Sequence, residues 1–135
     1  YANAIKVIGD DVYVAGSDGR TAKYWKNSVP ITLLVNAGAN DIFITGNDIY
    51  VAGREFSSFY TKAIYWKNGV ATYLTDGSSD ANANSIVVIG NDVYVCGYTR
   101  IDGTDVATYW KNGVATYLSN LSNDARAEAI VVVEK

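Results

Sequence analysis

Two stretches of the chain concentrate side chains able to recognise a ligand. Arg54, Glu55, Phe56, Phe59 and Tyr60 crowd one of them, and Tyr98, Arg100, Asp102 and Asp105 crowd the other. Aromatic rings offer planes for a sugar or peptide to stack on, and a guanidinium offers a flat fork of donors. Arg54, Phe56, Phe59, Tyr60, Tyr98, Arg100 and Asp102 are therefore the candidate contacts to a glycan or peptide. The plainer reading is that the rings pack over the edges of the fold and the arginines pair locally, since single exposed aromatics are ordinary. The carboxylates Glu55, Asp102 and Asp105 also allow an acid/base pair of the kind that cleaves glycosides.

Several chemistries are excluded at once. The chain has no histidine, which removes Ser-His-Asp and Cys-His catalysis and most zinc sites. Cys96 is the single cysteine, so no disulfide can form within the chain. The run Asp76-Gly77-Ser78-Ser79-Asp80-Ala81-Asn82 spaces oxygen side chains as calcium loops do, but the twelfth position counted from Asp76 is Val87. An EF-hand needs a bidentate glutamate there, so the run reads as a turn. Neither a metal nor a cofactor is expected.

The net charge of −3 is spread without a basic stripe, which argues against a nucleic-acid partner. No apolar run approaches the ~20 residues of a membrane helix, and no signal peptide is recognisable. The strands inferred below are shorter than the ~9–11 residues a membrane barrel uses. A soluble protein without a membrane partner is expected. The sequence contains no methionine, as in a chain that is processed, excised or only partly represented.

What positions the candidate residues is an internal repeat. Trp25, Trp66 and Trp110 each sit in Tyr-Trp-Lys-Asn, at spacings of 41 and 44 residues, and two copies continue as Gly-Val-Ala-Thr-Tyr-Leu. Upstream of each lies a second unit: IGDDVYVAG from Ile8, TGNDIYVAG from Thr45 and IGNDVYVCG from Ile89. The G-[ND]-D and K-N-G centres are tight-turn signals between β-rich runs. Each repeat thus reads as four strands, A to D, at the period of a β-propeller blade. The predicted fold is all-β, with blade 1 over about 2–38, blade 2 over 39–80 and blade 3 over 81–124. The first strands are placed at residues 4–8, 41–45 and 85–89. The run Ile86-Val87-Val88-Ile89 is apolar on both faces, as in a sheet packed between two others.

The IGNDVYVCG strand followed by a Tyr-Trp strand resembles the kelch-type propeller, whose "IYVVGG" strand precedes a Tyr…Trp strand. The resemblance covers nearly the whole chain. The kelch double glycine appears here as Ala15-Gly16, Ala52-Gly53 and Cys96-Gly97, and the tyrosine and tryptophan are adjacent rather than separated. Galactose oxidase belongs to this kind of fold, but its copper site uses histidines, which this chain lacks.

Closed propellers have typically ~4–8 blades. Three blades leave two apolar faces open, and two copies about a two-fold axis would make a closed six-bladed ring. Ala129, Ile130, Val131, Val132 and Val133 repeat the first strand of a blade, so residues 125–135 are expected to add a thirteenth strand. It would either complete blade 1 of the partner, in competition with residues 4–8, or mark a cut from a longer array.

The recurring residues read as scaffold. The tyrosine–tryptophan pairs suit packing between blades, and Lys26, Lys67 and Lys111 suit solvent. Asp11, Asp48 and Asp92 read as turn formers, and Cys96 as a small buried residue in the slot of Ala15 and Ala52. The expected function is a non-enzymatic binding or scaffold module. Its ligand would bind on the face of the B–C loops (residues 17–20, 54–60 and 98–105) and the D–A loops. A carbohydrate-active enzyme and a purely structural propeller piece are the alternatives. No carboxylate pair is repeated in every copy, which weighs against the enzyme.

Overall fold

The computed structural model describes residues 1–134, and in it each sequence repeat forms one antiparallel four-stranded sheet. Sheet 1 contains β1 (Ala2–Ile8), β2 (Asp11–Asp18), β3 (Thr21–Lys26) and β4 (Val29–Val35). Sheet 2 contains β5 (Ala37–Thr45), β6 (Asp48–Phe56), β7 (Thr61–Lys67) and β8 (Val70–Tyr73). Sheet 3 contains β9 (Ala81–Ile89), β10 (Asp92–Ile101), β11 (Thr104–Lys111) and β12 (Val114–Tyr117). Strands follow chain order in every sheet, and no helix occurs among the described residues. The repeated four-stranded sheets fit a β-propeller-like fold.

The turns form as the sequence dictates. Gly9, Gly46 and Gly90 take positive φ in the A–B turns, while Asn27, Asn68 and Asn112 take it in the C–D turns. Each of these asparagines also ties the two turns of its sheet together. Asn68 donates Nδ2–H to Asp48 at 2.9 Å and accepts the Ile49 amide at 2.9 Å. Asn27 makes the same two bonds to Asp11 and Val12, and Asn112 to Asp92 and Val93. Asp11, Asp48 and Asp92 are therefore more than turn formers; each is the acceptor of a clasp between two hairpins.

The inner strands begin earlier than their apolar runs suggest, because each crosses a bulge near its start, as between Ala39 and Asp41. The bulge explains the glycine that strand B carries opposite it in every repeat, although each strand runs on past that glycine rather than ending there. A Cβ on Gly53 would overlap the carbonyl oxygen of Gly38, and Gly16 and Gly97 meet Tyr1 and Asn82 in the same way. Pro30 sits on β4, the outer edge strand, where a missing ladder donor is tolerated.

The core lies between sheets. β5 packs across β1, β2 and β3, and β9 packs across β5, β6 and β7. Between sheets 1 and 2, Tyr13, Ala15 and Ala22 face Ala37, Ala39, Ile42, Val51, Ile64 and Trp66. Between sheets 2 and 3, Tyr50, Ala52 and Ala63 face Ala81, Ala83, Ile86, Val95 and Trp110 among others. The small alanines let the next sheet come close, and the tryptophan supplies the bulk of each contact. An asparagine on each inner strand fixes the stacking: Asn3 donates to the Ala39 carbonyl and Asn40 to the Ala83 carbonyl, both at 2.8 Å.

The predicted thirteenth strand does not form as a strand. Residues 125–134 run along sheet 3 with no ladder partner among the described residues. They nonetheless lie where the inner strand of a next sheet would lie. Asn84 donates to the Ala127 carbonyl at 3.0 Å, continuing the series of Asn3 and Asn40, and the Ala127 amide donates to Gly97 at 3.0 Å.

Candidate functional site

The candidate ligand residues separate into two groups that the fold does not merge. The first surrounds the end of β6. Phe56 closes that strand, so Arg54 and Phe56 are strand residues rather than the loop residues expected, and the connection to β7 is only residues 57–60. Arg54 and Arg20 place their guanidinium carbons 5.0 and 5.1 Å from the Phe56 ring centre. Arg20 is steadied by its bond to Asn36 at 3.2 Å. The Phe56 ring is thus already engaged by two cations, which offer their outward edges in its stead. Arg54 and Phe56 line a cavity of about 280 Å³ with Asn3, Asn40, Ser17 and the Tyr1 end of the chain. Glu55, on the other face of the strand, pairs with Lys62 at 3.6 Å.

Phe59 and Tyr60 stand beyond this cavity at the hairpin tip, where Ser57 donates its hydroxyl to the Tyr60 carbonyl. Phe59 is 89% exposed, the most open phenylalanine of the chain, and Tyr60 is also exposed. These two rings are free planes at the tip of a short, internally bonded turn.

The second group is centred on sheet 3 and is built differently from the expectation. β10 continues to Ile101 and β11 starts at Thr104, so the long B–C loop read over 98–105 is a two-residue turn, Asp102-Gly103. Asp102 adopts φ 49° there and is exposed. Tyr98 is buried, and the Arg126 guanidinium lies 4.4 Å from its ring centre, so Tyr98 offers no open stacking plane. Arg100 donates Nε–H to Asp105 at 2.8 Å and approaches Asp80 at 3.7 Å. Asp105 is 1% exposed and also receives Nε–H and Nη2–H of Arg126 at 2.9 and 2.6 Å.

Electrostatics follow from this geometry. Burial pushes the Asp105 carboxyl up, but the hydrogen bonds and charges of Arg100 and Arg126 outweigh it and hold the group below its ordinary 3.8. Asp105 is a carboxylate held ionised at neutral pH, unsuited to donating a proton there. Arg100 and Asp102 line a larger, shallower hollow of about 880 Å³ with Tyr73, Tyr117, Asp76 and Ser78. The turn at Asp76 is folded on itself. Ser78 donates both hydroxyl and amide to Asp76, which holds that carboxyl below its usual range. Among the described residues no cluster of three His, Cys, Asp or Glu is placed to hold a metal ion.

Arg126 was invisible as a participant in the sequence, because its partner lies on a strand 21 residues away. Repeat alignment sets Arg126 at the position of Asn82 and Asp105 at that of Thr61, but Thr61 bonds Asp80 and Ala81 rather than Asn82, so the preceding repeat holds no counterpart of this pair. Compared with known protein families and with curated proteins, the chain matches none.

Proposed function

We propose that the chain is a non-enzymatic scaffold whose sheets, of propeller type, stack with those of a second copy into a six-sheet ring. The observation that carries this reading is the unequal fate of the three tryptophans. Trp66 and Trp110 are each 1% exposed between sheets. Trp25 holds the same place in sheet 1 but lines an open hollow with Val12 and Val14. Ile5, Val7, Ile8 and Val12 are also exposed on this sheet. The surface that covers Trp66 consists of Tyr13, Ala15 and Ala22, and the one beside Trp110 of Tyr50, Ala52 and Ala63. Sheet 3 carries the matching set, Tyr94, Cys96 and Ala107. Sheet 3 of one copy is thus chemically suited to cover Trp25 of another, and burying both faces twice closes the assembly.

Solution mass tests the reading. A monodisperse dimer at micromolar concentration is expected, and a monomer over the whole accessible range overturns it.

A ligand-binding role on the loop face is the second element of the proposal, favoured by the cavity beside Arg54 and the free rings of Phe59 and Tyr60. A neutral or acidic glycan or peptide suits a site of guanidinium edges, amides and aromatic planes. Binding on a glycan or peptide array that is lost in Arg54→Ala and Phe59→Ala supports it; an array without signal removes it. Two of the three carboxylates an enzyme would use are engaged in ion pairs, Glu55 with Lys62 and Asp105 with two arginines, which leaves only the exposed Asp102.

A further inference from the structure

The two ends of the described chain compete for one place. Repeat alignment sets Ala127, Ile130 and Val132 against Ala2, Ile5 and Val7, and against Ala39, Ile42 and Ile44 of sheet 2. In the structure, residues 127–133 already occupy the inner-strand position next to sheet 3. If sheet 1 of a second copy stacks there, its β1 needs the same space.

We propose that residues 127–133 of one chain pair with β2 of a second copy, taking the place of that copy's β1. The inference rests on the ring proposed above and adds how its seams are made. Three observations support the exchange. First, the segment is fixed on its own sheet 3 before any partner arrives. Arg126 grips Asp105, the Ala125 amide donates to the Asp105 carbonyl at 2.7 Å, and Asn84 holds Ala127. An incoming β2 therefore meets a strand already in position. Second, β1 is the least buried of the three inner strands, with only Ala4 partly covered. Third, Lys6 stands where the other inner strands carry Phe43 and Val87 and where the C-terminal segment carries Val131.

Those side chains line a common cavity with Ile130 and Val132. Val131 matches the apolar part of this lining, whereas Lys6 adds an ammonium to it beside the polar Asp41 and Ser85. Against this, Glu128 replaces the asparagine of the other inner strands, so each seam gives up one amide-to-carbonyl bond.

Ladder geometry supplies the test. Val7 pairs with Val12 in sheet 1. The Val12 amide and carbonyl both bond Asn27, so Val7 and Val12 form a non-hydrogen-bonded pair whose side chains lie close. Val132 takes the Val7 position in the exchanged arrangement. In a Cys96→Ala background, V12C/V132C is expected to give a dimer linked by disulfides between chains on a non-reducing gel. V7C/V12C, which reports a retained β1, is expected to stay unlinked within the assembled dimer. A dimer in which V7C/V12C closes within one chain and V12C/V132C does not cross-link overturns the exchange but leaves the ring standing. A monomeric mass overturns the ring and the exchange with it.

Discussion

Arg126 closes over Asp105 with two hydrogen bonds, at 2.6 and 2.9 Å to the same carboxylate oxygen, while its guanidinium stacks on Tyr98. The contact pins residues that form no ladder to a buried acceptor on β11. Arg100 takes the other oxygen, so a carboxylate that burial would discharge remains ionised.

Removing that charge has a defined pH signature. Asp105→Asn leaves two arginines facing an amide and is expected to destabilise the chain by about 2 kcal/mol at neutral pH, less than a fully enclosed pair because the arginines reach solvent. The folded carboxyl lies below its ordinary 3.8. The contribution is therefore complete above about pH 4 and is lost as pH falls through the folded value. Melting curves should show a constant gap between wild type and Asp105→Asn from pH 7 to pH 5. The gap should narrow below about pH 4; a gap independent of pH down to acid unfolding contradicts the ion-pair account.

The clasp between hairpins makes a second measurement possible. Asn68 is both a residue at φ 49° and the donor and acceptor that join the two turns of sheet 2. Asn68→Gly keeps the backbone and loses the side-chain bonds, for an expected cost of about 1 kcal/mol. Asn68→Ala adds the left-handed strain of a Cβ, for about 2 kcal/mol in total. Urea unfolding of the two variants checks the order. Equal costs would remove the strain contribution, and no cost in either would remove the clasp.

The repeat made the four-strand sheets legible, because tight-turn residues bracket every strand and apolar runs mark burial on both faces. Strand B was expected to end at Gly16, Gly53 and Gly97, and in every sheet it runs on past that glycine. Tyr98 and Arg100 look like loop residues after a glycine, yet β10 continues through them because Asp102-Gly103 supplies the turn. The start of each inner strand was missed for a related reason. Ala37, Gly38 and Ala39 carry no strand signal, and they enter the sheet because Gly53 lets their backbone cross the bulge. The buried role of Asp105 depends on Arg126, and no pattern in the sequence links two residues that far apart in the chain.

Cys96 reports on the C-terminal segment. Its thiol is buried in the slot of Ala15 and Ala52, facing the Ala127 carbonyl at 3.6 Å. Burial, with the nearby charges of Glu128 and Asp41, pushes it up to about 11. At pH 8 about one thiol in a thousand is ionised, so alkylation of the native chain should be very slow. Deleting the chain from Arg126 onward uncovers the thiol and should raise the labelling rate at least tenfold at unchanged overall fold by circular dichroism. An unchanged rate would mean that the segment does not cover Cys96 in solution.

Trp25 separates stability from assembly. Trp66 fills the contact between sheets 1 and 2, and Trp66→Ala is expected to cost about 3–5 kcal/mol in unfolding. Trp25 is only half-buried in the single chain, so Trp25→Ala should cost the monomer about 1 kcal/mol. In an assembled ring the same residue would be the central aromatic of each seam. Its truncation should then weaken association by about 2 kcal/mol or more, roughly 30-fold in dissociation constant. Sedimentation across a dilution series, beside denaturant unfolding of the same variants, distinguishes the two effects. A Trp25→Ala chain that loses only about 1 kcal/mol in unfolding but sediments as a monomer is the expected result. A Trp25→Ala chain that associates as tightly as wild type would show that the open face of sheet 1 is not where two copies meet.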